Sequence, residues 1–263
     1  MYKYWFLFKI YWQNTLAYPL SFAIWRFRQV LATFASVTVW LAIFQDNQQA
    51  FGYTRDSMIS YIFLIGFLQS IILATEIGGL GQQIYEGQIS NVMVKPLKVL
   101  GWIGAIDLAD KAYNFAFLIV ETLILYLIFR PHFVLPTIPF FLAFLVTTFL
   151  GAVLFFLAML LIGVMGFWSP DNWGIRFLFY MFIDFTAGRL YPLNILPQVL
   201  QNILRWTPFP YFSYFQSQIF LGKLDWMQIQ QSFTVLLLWI ALLAVSFRYF
   251  WLKGLKGYGA SGH

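Results

Sequence analysis

The sequence predicts an all-α membrane protein with six transmembrane helices, an N-terminal interfacial helix, a short cytoplasmic helix between spans two and three, and short outer helices before the last span. Three observations carry that prediction. Hydrophobic residues fill 61% of the 263 positions and charged residues only 10%, with a mean hydropathy of +0.73, whereas soluble domains carry about 25% charged residues. The uncharged runs reach the ~20 residues that a helix needs to cross a hydrocarbon core of about 30 Å. The basic residues, sixteen against ten acidic ones, flank those runs. That placement anchors membrane topology and is not the clustered face of a nucleic-acid binder. No cysteine is present, which rules out disulfides and thiolate metal sites.

Residues 2–17 mix Tyr4, Phe8, Tyr11 and Trp12 at helical spacing with Lys3 and Lys9 at the rim, the pattern of a helix lying in the interface. The mixture and the lack of a small-residue cleavage site exclude a cleaved signal peptide. Pro19 breaks that helix or turns it into the first span, about Ser21–Phe44, where Arg26 and Arg28 are expected to snorkel to the interface. The polar stretch 45–57, with Asp46, Asn47, Arg55 and Asp56, leaves the membrane, and span two follows at about 57–75. Glycines, amides and two lysines between Glu76 and Trp102 predict one short amphipathic helix and a turn at Pro96. Span three starts beyond Asp107, Asp110 and Lys111, whose charges suit a helix start, and ends at Phe129 with Glu121 inside it.

From Pro131 to Pro170 there is no Asp, Glu, Lys or Arg. One helix over about 138–166 fits best, with a hairpin that would raise the count to seven as the alternative. Span five is expected over 173–190 with Asp184. The region 188–225, punctuated by Gly188, Pro192, Pro197, Pro208 and Pro210, reads as outer re-entrant or amphipathic helices. Broken helices survive at membrane depth only where protein or a wet cavity satisfies the backbone. Span six covers about 227–248. With an internal N-terminus, the inner side collects Lys3, Lys9, Arg26, Arg28, Lys95, Lys98, Lys111, Arg176, Arg248, Lys253 and Lys256, and the outer side Arg55, Arg130, Arg189, Arg205 and Lys223. That excess places both termini in the cytoplasm.

Chemistry-bearing motifs are scarce. There is no GxxxxGK[ST] and no HExxH; His132 sits beside Pro131 and His263 is the last residue. The chain itself has no ATP-hydrolysis site, no metal cluster and no catalytic residue set. Glu121 and Asp184 lie deepest in predicted spans, where an unpaired carboxylate is costly. Each is either part of a path or proton relay, or a polar tie between helices. The segment with Glu86 and Lys95 can dock a cytoplasmic partner or simply rest at the interface. Trp5, Trp12, Trp102, Trp168, Trp173 and Trp251 fall near predicted boundaries, as belt residues do.

Two stretches resemble the ABC-2 type permease family in its compact six-span branch. IYEGQISNVMVKPL, Ile84–Leu97, is similar to a cytoplasmic family pattern fixed here at Gly87 and Pro96. AGRLYPLNILPQVLQNILRWTPFPYFSYF, Ala187–Phe215, is similar to the Gly…Pro-Leu…Leu-Pro stretch before the last span, with Gly188, Pro192, Pro197 and Pro208 as matching points. The resemblance implies a single permease domain over 1–263. Within it, a coupling region at 76–102 would use Tyr85, Glu86, Gly87, Gln88, Lys95 and Pro96. Tyr85 departs from the basic residue that relatives often carry there. Implied partners are two copies of a cytoplasmic ATP-binding subunit, which would bind ATP and Mg, a second permease, identical or homologous, and membrane lipids. No cofactor is implied in this chain, and the setting is a bacterial inner membrane. The activity implied is export of a lipid, drug-like or other amphiphilic substrate. An ion-coupled secondary carrier using Glu121 or Asp184, a lipid-acting membrane enzyme, and a non-transport membrane scaffold are the alternatives.

Overall fold

The structure, a computed structural model, describes residues 2–16, 19–46, 48–75, 77–169 and 171–258. Asn47, Glu76, Pro170 and His263 lie outside the described residues. Helix α1 (Tyr2–Leu16) leads into α2 (Pro19–Ile43), with Pro19 in the first turn, where its missing N–H costs nothing. A two-stranded hairpin, β1 (Gln49–Ala50) and β2 (Tyr53–Thr54), follows. Its loop residues Phe51 and Gly52 both take positive φ, 53° and 76°, as a tight I′-type turn requires. Thr54 then caps α3 (Arg55–Leu68) in a reciprocal capping box with Ser57.

α3 runs into a π-helical turn, Gln69–Leu73. Between residues 77 and 98 the chain makes a 3₁₀ turn (Ile77–Gly79), α4 (Leu80–Tyr85) and α5 (Ser90–Met93), so two short helices replace the single one predicted. α6 (Val99–Phe129) begins earlier than predicted and runs 31 residues. Asp107 and Asp110 therefore lie two to three turns inside it, buried, and do not sit at its start. α7 (Ile138–Val164) is one unbroken helix, extended by a 3₁₀ turn to Phe167, and the hairpin alternative is excluded. α8 (Trp173–Thr186) has only 14 residues, about 21 Å, and stops short of the predicted 190. The chain then forms a 3₁₀ turn (Leu193–Ile195), α9 (Gln198–Leu204), a second 3₁₀ turn (Phe209–Phe212) and α10 (Tyr214–Phe220). Finally α11 (Trp226–Lys256) is opened by an Asp225–Gln228 capping box and closed by Lys253 and Lys256 at its negative dipole end.

Among the described residues, four helical stretches are long and apolar enough to cross a membrane: Arg55–Leu73, Val99–Phe129, Ile138–Phe167 and Trp226–Lys256. This is an integral membrane protein. α7 is the hub of the main core, with α11, α10, the π turn and α4 packed around it. Phe144, Leu154, Phe155, Met159 and Leu160 are buried on α7. A second cluster joins Val37 and Trp40 of α2, and Phe44 just past its end, to Tyr53, Met58 and Tyr61. The bundle has two dissimilar ends. One gathers the hairpin, the 130–137 connection and residues 187–225, with Asn194 Nδ2 donating to the Phe51 carbonyl (2.6 Å) and Ser60 Oγ accepting from the Val134 N–H (3.0 Å). The other gathers 77–98, the end of α7, Asn172, the last turn of α11 and the start of α1, where Lys3 Nζ reaches the Pro96 carbonyl (3.4 Å).

Candidate functional site

The sequence-predicted coupling residues divide into two turns. α4 ends in a glycine-closed motif. Gly87 takes φ +78°, its N–H donates to the Ile84 carbonyl (3.0 Å), and the Gln88 N–H reaches back to Gln83 (2.9 Å). That pair of bonds satisfies the last carbonyls of the helix, and only glycine takes the left-handed position without strain. Glu86, exposed on the turn, accepts from the side-chain amides of Gln82 (2.7 Å) and Gln88 (2.6 Å), so its carboxylate is held in one place. Tyr85 is half-buried beside it. Lys95 and Pro96 belong to a separate exposed turn before α6, which α1 touches through Lys3 and through the Tyr4 hydroxyl, acceptor for the Lys98 N–H (3.2 Å).

Behind α4 the packing is backbone against backbone. A methyl group built on Gly166 would lie 2.1 Å from the Gly81 carbonyl oxygen, and one on Gly81 would lie 1.8 Å from Asn172 Nδ2. Gly163 faces Leu80 in the same way, at 2.8 Å, and Gly254 of α11 faces the Phe167 ring at 2.1 Å. Four glycines thus bring α4, the end of α7 and the end of α11 into direct contact. Asn172, 7% exposed, secures this by donating to the Ile162 carbonyl (3.3 Å).

Glu121 and Asp184 are not brought together. Glu121 is buried on α6 and accepts from Arg26 of α2 at 3.1 Å. The other guanidinium nitrogen donates to the Asn114 carbonyl (2.9 Å) and to Asn114 Oδ1 (2.7 Å). Arg26 is therefore 7% exposed and does not snorkel to the interface. Its stem is too deep among α2 and α6 neighbours, and a carboxylate is at hand. One turn further along the same seam, Gln29 and Gln69 exchange amide hydrogen bonds (3.2 and 3.0 Å), tying α2 to the π turn. Nearer the α4 end, Lys111 Nζ bridges Asp107 Oδ1 (2.9 Å) and the Ala74 carbonyl (2.6 Å), while Thr75 donates to the same carboxylate (2.5 Å). This seam was missed from sequence. The signal was there in Arg26 and Glu121, opposite charges inside the first and third predicted spans. Asp184 pairs with Arg189, five residues on, at the half-exposed end of α8.

At the hairpin end, Gly188 takes φ +78° and its carbonyl accepts from the buried Tyr61 hydroxyl. Pro192 is buried, whereas exposed Pro197 starts α9 and Pro208 introduces the Phe209–Phe212 turn. Ser213, Gln216, Ser217 and Gln218 are all buried. Gln216 donates to the carbonyls of Thr147 (3.2 Å) and Tyr211 (2.7 Å), and Gln218 donates to the Tyr53 hydroxyl (2.8 Å). A broken segment is thus held inside the bundle by side-chain amides, as buried irregular backbone demands. Lys223 lies 3.9 Å above the Tyr53 ring. Burial lowers the Lys223 ammonium from its ordinary value and raises the Tyr53 phenol.

No cluster of three or more metal-ligating side chains exists among the described residues. What the fold and these sites define is a helical membrane protein, with an exposed glycine-closed turn at one end and a buried, polar, broken segment at the other. Residues 30–262 match the family described as ABC-2 family transporter protein, and the chain belongs to that family. Its members are typically permeases without an ATPase domain, and they associate generally with ATPase subunits. Among curated proteins, none matches the chain.

Proposed function

We propose that this chain is the membrane-spanning subunit of an ATP-driven exporter of a lipid, drug-like or other amphiphilic substrate. It pairs with a second permease, identical or homologous, in a bacterial inner membrane, and two cytoplasmic ATP-binding subunits, holding ATP and Mg, seat on the 77–98 segment. The observation that carries this reading is the backbone contact of α4 with the end of α7. A push on Tyr85–Gln88 reaches the extension of the hub helix through the direct Gly81–Gly166 backbone contact, with the buried Leu80, Ile84 and Asn172 side chains packed around it. Nucleotide-driven closure of the ATP-binding pair can then bias two packings of the spans, provided that the pair binds one packing better than the other.

Six crossings follow if α2 and α8 join the four long helices. α2 has 25 residues, about 38 Å, and its Arg26 charge is met by Glu121. α8 reaches across together with the turns that follow it, Gly188 and the buried Pro192 and Leu193 among them. The natural absence of cysteine makes the topology directly testable. Single cysteines introduced as Ala50→Cys and Gln88→Cys are expected to label from opposite faces of sealed vesicles, and labelling from one face overturns the arrangement. For function, gentle detergent extraction from the native host is expected to recover an ATP-binding protein in stoichiometric amount. Recovery of the chain alone, with proton-coupled flux in liposomes, overturns the reading.

A further inference from the structure

α9 buries no residue, yet it exposes a polar face to a cleft and an apolar face away from it. Gln198, Gln201, Asn202 and Arg205 recur at the i, i+3, i+4, i+7 spacing of one helical face, and they line a cleft of about 400 Å³ with Tyr214 and Lys223 on its far side. The adjoining face carries Val199, Ile203 and, just past the helix, Trp206, which are 70%, 57% and 68% exposed. Polar residues lining an open cleft beside exposed apolar ones suit a helix at the edge of lipid with a wet cleft next to it. Trp206 and Trp226, both exposed, flank this level with rings of the kind favoured among headgroups. α11 has 31 residues, about 46 Å, which exceeds a core of about 30 Å. Its first turns, which contribute to the cleft wall, therefore have room to rise into the headgroup layer.

The charge in the cleft has one sign. No Asp or Glu lines it among the described residues, while Arg205 and Lys223 do. The Arg205 guanidinium has no hydrogen-bond or carboxylate partner among the described residues. Lys223 uses one N–H on the Gly52 carbonyl (2.5 Å) and keeps its other donors. Asp225, the acid next along the chain, is engaged by the Gln228 N–H (2.7 Å). The amides are fixed through their nitrogens: Gln198 to Asn202 Oδ1 (3.1 Å), and Gln201 to the carbonyls of Asn194 (3.2 Å) and Leu196 (2.7 Å). Their oxygens remain as acceptors for hydroxyl groups. The volume falls within the roughly 300–1,000 Å³ of small-molecule clefts.

We propose that this cleft binds the headgroup of an anionic, polyol-bearing phospholipid, with Arg205 and Lys223 on the phosphate, Gln198 and Gln201 on the hydroxyls, and the acyl chains along the apolar face of α9. The assignment stands apart from the transport reading, because it needs neither a partner nor ATP. It is tested on the purified, delipidated full chain by titration with phosphatidylglycerol, with phosphatidylcholine and with soluble glycerol 3-phosphate. The expected result is at least about tenfold tighter binding of phosphatidylglycerol than of either comparator. Arg205→Gln combined with Lys223→Gln is expected to remove that preference. Arg205→Lys keeps it, and so does Lys95→Gln at the opposite end of the bundle. Size-exclusion and thermal-unfolding profiles show that each variant is folded. Equal binding of both lipids, or a preference that survives the double substitution, overturns the site. Glycerol 3-phosphate binding as tightly as the lipid overturns the lipid as its occupant.

Discussion

At the α4 end of the molecule, glycines let the backbone approach its neighbours closely, in one place backbone against backbone. Gly166 meets Gly81, and Gly254 meets the Phe167 ring. At the hairpin end the chain also breaks into short helices, but there amides and hydroxyls fill the gaps, and an open cleft of about 400 Å³ remains beside α9. Both regions are interrupted backbone between long helices. One is packed without space for a ligand, whereas the other leaves room for one. The difference comes largely from residue type: glycines at the contact points, secured by one buried amide, in one, and several long side chains with paired polar atoms in the other.

The sharpest way to break this contrast is Gly166→Val. A β-branched side chain has no space 2.1 Å from the Gly81 oxygen. Because backbone lies on both sides, relief requires α4 to separate from α7. We expect loss of the folded species in detergent, read by size-exclusion chromatography. A Gly174→Val protein is the control, since no atom lies within 4 Å of that position, and it should elute as wild type.

The seam between the two ends comes next in size. Glu121→Leu leaves the Arg26 charge buried without its carboxylate, a loss on the order of 3–5 kcal/mol, read as a lowered unfolding midpoint. The double substitution Arg26→Met with Glu121→Leu should recover most of it. Failure of that recovery would mean that the pair does more than hold α2 to α6. The smallest expected effect belongs to the open end. Arg205→Gln should alter unfolding stability by no more than about 0.5 kcal/mol, as at other surface positions without partners. A larger loss would show that the cleft is part of the packing after all.

Much of the fold was legible because membrane-spanning helices announce themselves by what they lack. The 138–166 prediction differs from α7 and its 3₁₀ extension by a single residue at the C-terminal end, since no charge or turn residue competes inside it. The N-terminal limit of α6 was misread because Asp107, Asp110 and Lys111 look like a boundary. In the structure, Thr75, Lys111 and the Ala74 carbonyl supply partners, and the carboxylate of Asp107 goes inside. α8 fell short of the predicted 190 because Gly188 at φ +78° turns the chain and accepts from Tyr61. Of the site, Gly87 could be picked out in the sequence as a fixed point of the family resemblance. The contacts of Gly81, Gly166 and Asn172, and the partners of Glu121 and Asp184, could not. They depend on which helices touch, and a single sequence with weak periodicity on its apolar faces does not contain that pairing.

α7 contains no side chain that gains or loses a proton: from Ile138 to Val164 there is no acid, base, tyrosine or cysteine. Neither acidity nor ionic strength acts on the central helix directly, because screening and titration need a charge to work on. Any sensitivity of the protein to buffer conditions must therefore enter from its periphery, through the Arg26–Glu121 and Asp107–Lys111 pairs or the cations around the cleft, and reach the centre only as a change of shape.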